Sequence, residues 1–151
     1  MTSTLLPEKV KRAAEVICRQ GMVQFPVTKT AVAIIQRVVG GADEELDLVY
    51  AFREKPSQTL DQLIESSGLP EEKITRLAES LARKGLVFNQ PSSSGLMVYR
   101  LLPLMMVGLM EYRFMGPLTG SDEEKELAVL FETLLSELRD QTQHHYDALA
   151  P

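Results

Sequence analysis

The 151-residue sequence contains one cysteine, no tryptophan and only 6% aromatic residues. A single cysteine, Cys18, can form neither an intramolecular disulfide nor a cysteine-based metal site, so we expect a reducing, cytoplasmic compartment. The N-terminus carries no apolar segment of signal-peptide type, and the apolar uncharged run within residues 101–116 is far short of the ~20 residues that span a bilayer. Since 44% of the residues are hydrophobic and 25% are charged, the composition indicates a globular domain rather than a disordered, collagen-like or disulfide-rich chain.

Residue patterns that support enzyme chemistry are also missing. The thiol and imidazole groups that could bind a transition metal are those of Cys18, His144 and His145. The two histidines lie far from Cys18 in the sequence. Adjacent histidines on a helix point about 100° apart and do not chelate one ion from one face. The sequence shows no Ser/His/Asp arrangement, phosphate-cradling glycine loop or spaced carboxylate pair. We therefore predict no catalytic residue, no metal ligand and no enzymatic activity for this chain alone.

Basic residues are concentrated at the start of the chain and acidic residues at its end. Residues 1–41 carry six basic and two acidic side chains, whereas residues 121–151 carry two basic and eight acidic ones. Between them, residues 42–103 hold seven basic and ten acidic side chains. Nucleic-acid binding needs a basic face, because much of its affinity comes from counterions released from phosphates. The net charge of −5 and the acidic middle segment therefore disfavour a nucleic-acid partner.

Residues 1–41 are predicted to form an N-terminal helical extension. Pro7 opens the first pattern, since proline at the first helical position loses no hydrogen bond, and Gly21 is expected to end it. The apolar residues between them recur at helical spacing: Val10, Ala13, Ala14 and Ile17. The segment Val32–Val39 is apolar and β-branched. We interpret it as a short helix, although a buried strand has the same signature.

The middle of the chain contains clear helix start and stop signals. Asp43 is expected to cap a first helix. Thr59 and Gln62 have the spacing of a capping box, in which each residue bonds the other's backbone N–H, and they predict a short second helix. Pro70 is placed at the first position of a third helix, which Gly85 ends in a left-handed conformation.

A β-hairpin is predicted after the third helix. Residues 86–88 and 97–101 have the composition of short strands, and the serine-rich residues 89–95 link them. Helix, capped helix, tight turn, helix and hairpin follow each other in the order typical of a winged helix-turn-helix, which we assign to residues 42–102.

The C-terminal third contains an apolar connector and a long helix. Residues 103–120 form the connector, and five of the seven methionines fall between 97 and 115. Ser121 and Glu124 predict a capping box at the start of the last helix, within residues 121–151. A stripe at helical spacing follows: Leu127, Leu130, Phe131, Leu134, Leu135 and Leu138. The whole chain is therefore predicted to be one compact, mainly α (α+β) unit with N-terminal helices and a long C-terminal helix.

A winged helix that reads DNA would do so through the exposed face of its third helix. The candidates for base contacts are Thr75, Arg76, Ser80 and Arg83. Three glutamates on the same helix offset its basic residues, and the hairpin tip at 90–95 carries no basic residue. We therefore favour a solvated, mixed-charge helix face and keep a DNA-binding transcriptional regulator as the alternative.

The connector offers a candidate protein-docking surface. Methionine is flexible and polarizable, and it is common on adaptable apolar binding surfaces. The candidate docking residues are Met105, Met106, Met110, Tyr112 and Phe114. Two alternatives stay open at this point. These side chains pack in the core, or part of the stripe at 127–138 pairs two copies of the chain in a homodimer.

Three segments and an acidic helix carry a resemblance to a known family. The segments are Leu81–Phe88, Met97–Pro103 and Val107–Tyr112. With the acidic helix they resemble the N-terminal winged-helix region of bacterial and archaeal 4Fe-4S ferredoxin-type proteins, over most of residues 5–140. In that family a domain with cysteine-rich cluster motifs follows the winged helix. This chain departs from the pattern because cluster ligation needs cysteines at short spacing, so no cluster ligand is carried over to any position.

The resemblance implies that these residues are either the leading part of a longer iron–sulfur protein or a relative that has lost the rest, and that a 4Fe-4S cluster is expected only in a C-terminal region absent from this chain. We therefore expect a non-catalytic accessory domain that docks to, or regulates, an iron–sulfur electron-transfer protein. Its partner would be another protein domain or subunit, and its working residues would lie in the connector at 104–115.

Overall fold

The computed structural model describes residues 2–20, 26–40, 43–104, 108–114 and 118–149. In these ranges the chain is mainly helical and contains one small three-stranded antiparallel sheet, which confirms the fold class at this level. The described helices are α1 (Thr2–Cys18), α2 (Lys29–Val39), α3 (Asp43–Tyr50), α4 (Leu60–Ser67), α5 (Glu71–Lys84), α6 (Leu109–Phe114) and α7 (Asp122–Leu149). The strands are β1 (Ser57–Thr59), β2 (Val87–Pro91) and β3 (Met97–Leu101).

The N-terminal helices refine the expectation from the sequence. The α1 helix begins at Thr2 and contains Pro7, so placing Pro7 at the first helical position is wrong. The five residues before Pro7 are too few to show a periodic pattern, which explains the error. Gly21, the expected end of this helix, lies outside the described residues. In α2 the buried residues recur every three or four positions and the Thr28 hydroxyl accepts the Ala31 N–H at 3.1 Å, so the helix interpretation is confirmed.

The three helices expected between residues 42 and 85 are present. Asp43 is the first residue of α3 rather than its cap. The capping box is confirmed, because the Gln62 N–H donates to Thr59 Oγ1 at 3.3 Å and the Thr59 N–H donates to Gln62 Oε1 at 2.9 Å. Pro70 adopts an extended conformation and caps α5, so the helix begins one residue later than expected. Gly85 ends α5 with a φ of 89°, in the left-handed region, as predicted.

Replacing Thr59 by alanine is expected to lower the free energy of unfolding by about 1 kcal/mol, the usual cost of losing an N-cap side chain. Urea denaturation at neutral pH measures the change. Thr75→Ala is the matched control, since the Thr75 hydroxyl lies in the middle of α5 and bonds only its own helix at Glu71 O. An equal loss in both variants would contradict a capping role for Thr59.

The sheet contains one strand more than the expected hairpin. The hairpin is present as β2 and β3, which pair from Val87–Leu101 to Pro91–Met97, so β2 extends beyond the expected 86–88. The additional strand β1 pairs with the other edge of β3. With three residues, β1 is too short to show an alternating pattern. It is fixed instead by pairing with β3 and by the buried Gln58 side chain, which donates to the carbonyls of Ala51 and Lys55.

One cluster of buried side chains connects all the helices with β2 and β3. α1 packs on α2 and α3, and α7 packs on α2. Five of the six stripe residues of α7 face this core, because Leu127, Phe131 and Leu134 are buried and Leu130 and Leu138 are partly buried, whereas Leu135 is exposed. The long C-terminal helix is thus confirmed, and most of its apolar stripe is core.

The capping of α7 differs in part from the capping box predicted for Ser121 and Glu124. The Ser121 hydroxyl accepts the Glu124 N–H at 3.2 Å, as a capping box requires. The Glu124 carboxylate reaches further back and accepts the N–H groups of Thr119 and Gly120 at 2.9 and 2.7 Å. These backbone donors, Thr119 first, lower the pKa of Glu124.

Candidate interaction surfaces

The four residues predicted to read DNA do not share one surface. Thr75, Arg76 and Arg83 are exposed on α5. Ser80 is half-buried instead and faces α3, where its hydroxyl donates to Glu45 Oε1 at 2.5 Å. The sequence placed Ser80 with the other three because helical spacing alone does not reveal which side of a helix contacts its neighbour.

Two of the four basic residues of α5 form ion pairs with acidic residues of α3. Lys73 pairs with Glu44 and Lys84 with Glu45, each at 2.6 Å, and the Lys84 ammonium also donates to the Val39 carbonyl. The exposed cations that remain on α5 are two arginines. Three exposed glutamates accompany them: Glu71, Glu72 and Glu79. The outer face of α5 therefore carries a net negative charge, which repels phosphates.

The hairpin exposes three large apolar side chains. Phe88 on β2, Leu96 in the turn and Met97 on β3 are 51%, 62% and 42% exposed. Residues 87–101 contain one charged side chain, Arg100, which lies opposite Phe88 in the strand register. The register places Phe88 on the face of Arg100 and Met97 on the opposite face with Tyr99, so the exposed apolar side chains surround the hairpin instead of sharing one face. A large exposed apolar residue is common singly, but three on one short hairpin indicate a binding element. Sequence reasoning missed this surface because it treated residues 89–95 as a polar link and did not consider the apolar residues flanking it.

The connector residues predicted to dock a partner are divided between core and surface. Met105 and Met106 lie outside the described residues. Met110 and Phe114 are partly buried and pack against the core, whereas Tyr112 is 53% exposed. The structure thus leaves Tyr112 as the one exposed side chain among the three candidates that it describes.

Two aromatic contacts attach α6 to the rest of the fold. Phe114 meets Phe131 of α7 edge-to-face, with ring centroids 6.0 Å apart. The Tyr112 ring covers Gly85 so closely that a Cβ atom there would lie 2.5 Å from Tyr112 Cδ1. The connector therefore supports both α7 and the end of α5 from which the hairpin starts.

The surface available for a homodimer is small in the described part of α7. Val129 is 60% and Leu135 45% exposed. Val129 borders an open groove of about 800 Å³ between α2 and α7, whose other lining residues include the ion-paired Arg37 and Glu126. Two exposed apolar side chains do not form a continuous patch of the kind that stable dimers bury.

The residues of this chain do not fit an iron–sulfur cluster. Such clusters are held by several cysteine thiolates, and the chain has one cysteine. Cys18 is fully buried, and burial raises the pKa of its thiol to about 11. Among the described residues, no group of three His, Cys, Asp or Glu side chains is arranged to hold a metal ion. The side chains of His144 and His145 lie outside the described residues.

Burial of Cys18 has a measurable consequence at alkaline pH. A folded-state pKa of about 11, against 9.0 for a free thiol, means that the unfolded chain loses this proton first. Stability is therefore expected to fall as the pH rises from about 9 to about 11. Thiol-reactive dyes should label the native protein very slowly at pH 8 and immediately in denaturant. Rapid labelling of the native state would contradict the burial, and a Cys18→Ala variant should remove the labelling altogether.

None of the described helices is both long and apolar enough to cross a membrane. Comparison of the chain with protein families, with curated proteins and with solved structures finds no match.

Proposed function

We propose that residues 43–101 form a winged helix-turn-helix that docks a protein partner through its hairpin. The succession of α3, α4, α5, β2 and β3, with β1 pairing along β3, supports the winged-helix assignment. The observation that carries the docking role is the exposure of Phe88, Leu96 and Met97 on an almost uncharged hairpin. Burying such side chains against a partner releases about 25 cal/mol per Å² of apolar surface.

Electrostatics favour a protein partner over DNA. The hairpin of a DNA-binding winged helix reaches phosphates or the minor groove, where basic side chains are needed. Here the hairpin tip has none, and α5 presents three glutamates against two arginines. A protein partner does not require a basic surface, because interfaces are built around apolar and aromatic anchors with a polar rim.

We further propose that the partner is an iron–sulfur electron-transfer protein of ferredoxin type and that this chain acts as its non-catalytic accessory domain. The sequence resemblance in Leu81–Phe88, Met97–Pro103 and Val107–Tyr112 supports this choice. Two of the three segments contain the start of β2 and all of β3, so they include Phe88 and Met97 of the proposed docking hairpin. Any cluster would be held by the partner, since this chain supplies no ligand set.

Site-specific photo-crosslinking in the producing cells tests both parts. A photoreactive phenylalanine analogue replaces Met97 on the hairpin, and in the matched control it replaces Glu79 on the exposed face of α5. We expect a discrete protein adduct from position 97 only, which mass spectrometry identifies as an iron–sulfur protein. Leu96→Glu should abolish the adduct, whereas Leu118→Glu, at a site of similar exposure (60%), should leave it intact.

The outcomes separate the two parts of the proposal. Absence of an adduct from position 97, or an equal adduct from position 79, would contradict hairpin docking. A discrete adduct with a protein that lacks a cluster would keep the docking role and remove the iron–sulfur partner.

The alternative is a transcriptional regulator, and the exposure of Thr75 and Arg76 on α5 is the observation that favours it. Gel shifts with genomic fragments at low salt address it directly. A sequence-specific complex that Arg76→Ala abolishes would replace protein docking by DNA binding as the function. The charge on α5 leads us to expect only weak binding without sequence preference, which rising salt removes.

A further inference from the structure

Two arginines from different parts of the chain contact the ring of Tyr50. The guanidinium carbon of Arg12, on α1, lies 4.3 Å from the ring centroid, and that of Arg53, just after α3, lies 4.7 Å from it. Arg53 is fixed further by a hydrogen bond of 3.2 Å from its Nη1 to the Tyr50 carbonyl. Cation–π contacts of this kind offset part of the repulsion between the two positive charges and keep both guanidinium groups beside the same ring.

Within the described ranges, no carboxylate forms an ion pair with either of these two arginines. The acidic residues of α3 that face α1, Asp43 and Asp47, both pair with Lys9 instead, at 3.1 Å. Glu8, Glu15 and Glu54, the acidic residues near the two arginines in sequence, are exposed, and none of them forms an ion pair with either guanidinium. Both arginines are exposed, and apart from the bond from Arg53 Nη1 to the Tyr50 carbonyl their guanidinium groups remain available to a ligand beside the ring.

We propose that Arg12, Tyr50 and Arg53 form a binding site for an acidic segment of a protein partner, in which two carboxylates each accept hydrogen bonds from one guanidinium. Guanidinium groups match carboxylates in geometry, and such charge-assisted pairs are stronger than neutral hydrogen bonds. Because the groups are held on an aromatic ring, less conformational entropy is lost on binding than with free arginines. The site is a second contact for the partner and rests on the proposed docking function.

A short acidic peptide suits the site better than a nucleic acid. Duplex DNA presents a long row of phosphates, which needs a more extended basic surface than two arginines provide. A short peptide extends over a few residues and meets the Tyr50 site alone. The preference for a short peptide therefore follows from the small size of this positively charged site on a chain whose net charge is −5.

Fluorescence anisotropy with a labelled hexaglutamate peptide at low salt tests the site in the full chain. Arg12→Gln/Arg53→Gln is expected to weaken binding by about tenfold, since two charge-assisted contacts are lost. The matched control is Arg76→Gln/Arg83→Gln, which removes the same charge from exposed arginines of α5 and should change affinity less than about twofold. Circular dichroism of both variants checks that the helices are unchanged.

Variants of the ring separate positioning from simple charge. Tyr50→Phe keeps the aromatic face and should bind like the wild type, whereas Tyr50→Leu should lose most of the affinity although both arginines remain. Equal loss in the two double variants, tighter binding of a duplex DNA of equal charge, or no binding by the wild type would overturn the proposal. Leu96→Glu should leave hexaglutamate binding unchanged, so failure of hairpin docking is distinguishable from failure of this site.

Discussion

Replacing Gly108 by alanine is expected to lower the free energy of unfolding by about 3 kcal/mol, because the added Cβ has no room. It would lie 2.1 Å from the carbonyl oxygen of Pro103 and 2.8 Å from the carbonyl carbon. These are backbone atoms, so no side-chain rotation relieves the overlap. The same carbonyl accepts the Leu109 N–H at 2.9 Å, and the next bond, from Met110 N to the Leu104 carbonyl, is 2.8 Å. Opening this turn therefore breaks hydrogen bonds beside the buried Leu104 and Leu109.

Gly68→Ala supplies the control that isolates the clash. Gly68 has a φ of 73°, but a Cβ there meets nothing within 4 Å, so only the left-handed conformation is penalised, by about 1 kcal/mol. Urea unfolding with a common m value measures both variants. A loss at Gly108 no larger than at Gly68 would contradict the close approach of the turn to Pro103. Because the turn places α6 and Tyr112 against Gly85, the Gly108 variant should also loosen the start of the hairpin.

Local chemistry explains which elements the sequence predicts well. The Thr59–Gln62 capping box and the left-handed Gly85 depend on residues within a few positions of each other, and both are present in the structure. β1 depends on hydrogen bonds to β3, some 40 residues later. Its three residues are too few to show a sequence pattern that predicts this pairing. Elements fixed by distant partners are therefore the ones that inspection of the sequence misses.

The same distinction holds for the candidate surfaces. The composition of the connector predicts a docking role for Met110 and Phe114, but in the structure both are partly buried and pack against the core. Phe88 and Met97 belong to short strands whose exposure is set only when the sheet packs, and both are exposed on the hairpin, on opposite faces of it. Arg12 and Arg53 are far apart in sequence and meet only because α1 packs on α3. Burial and pairing, rather than residue type, decide which side chains are available to a partner.

The ion pair between α3 and α5 gives the second large expected effect. Lys84→Met is expected to lower the free energy of unfolding by about 3 kcal/mol, the lower end of the range for breaking a buried ion pair, since Lys84 itself is about a quarter exposed. Glu45 is 3% exposed and would keep only the Ser80 hydroxyl as partner. An uncompensated buried carboxylate is costly, because the side chain has lost its hydration without gaining a counter-charge.

Lys73→Met is the control within the same helix. Its pair with Glu44 has the same 2.6 Å separation, but the two side chains are 35% and 45% exposed, so the loss should stay below about 1 kcal/mol. Urea unfolding of both variants makes the comparison, and equal losses would contradict a special role for burial at Glu45.

The double variant Glu45→Gln/Lys84→Met tests the cause of the loss. A neutral amide needs no counter-charge and still accepts from Ser80, so the double variant should be more stable than Lys84→Met alone, because buried pairs replaced by neutral groups often cost little. A double variant as unstable as the single one would mean that Lys84 acts through packing or through its bond to the Val39 carbonyl. In either case Lys84 makes contacts inside the fold and is not available to a ligand, so the proposed recognition of a partner depends on the hairpin and on the arginines around Tyr50.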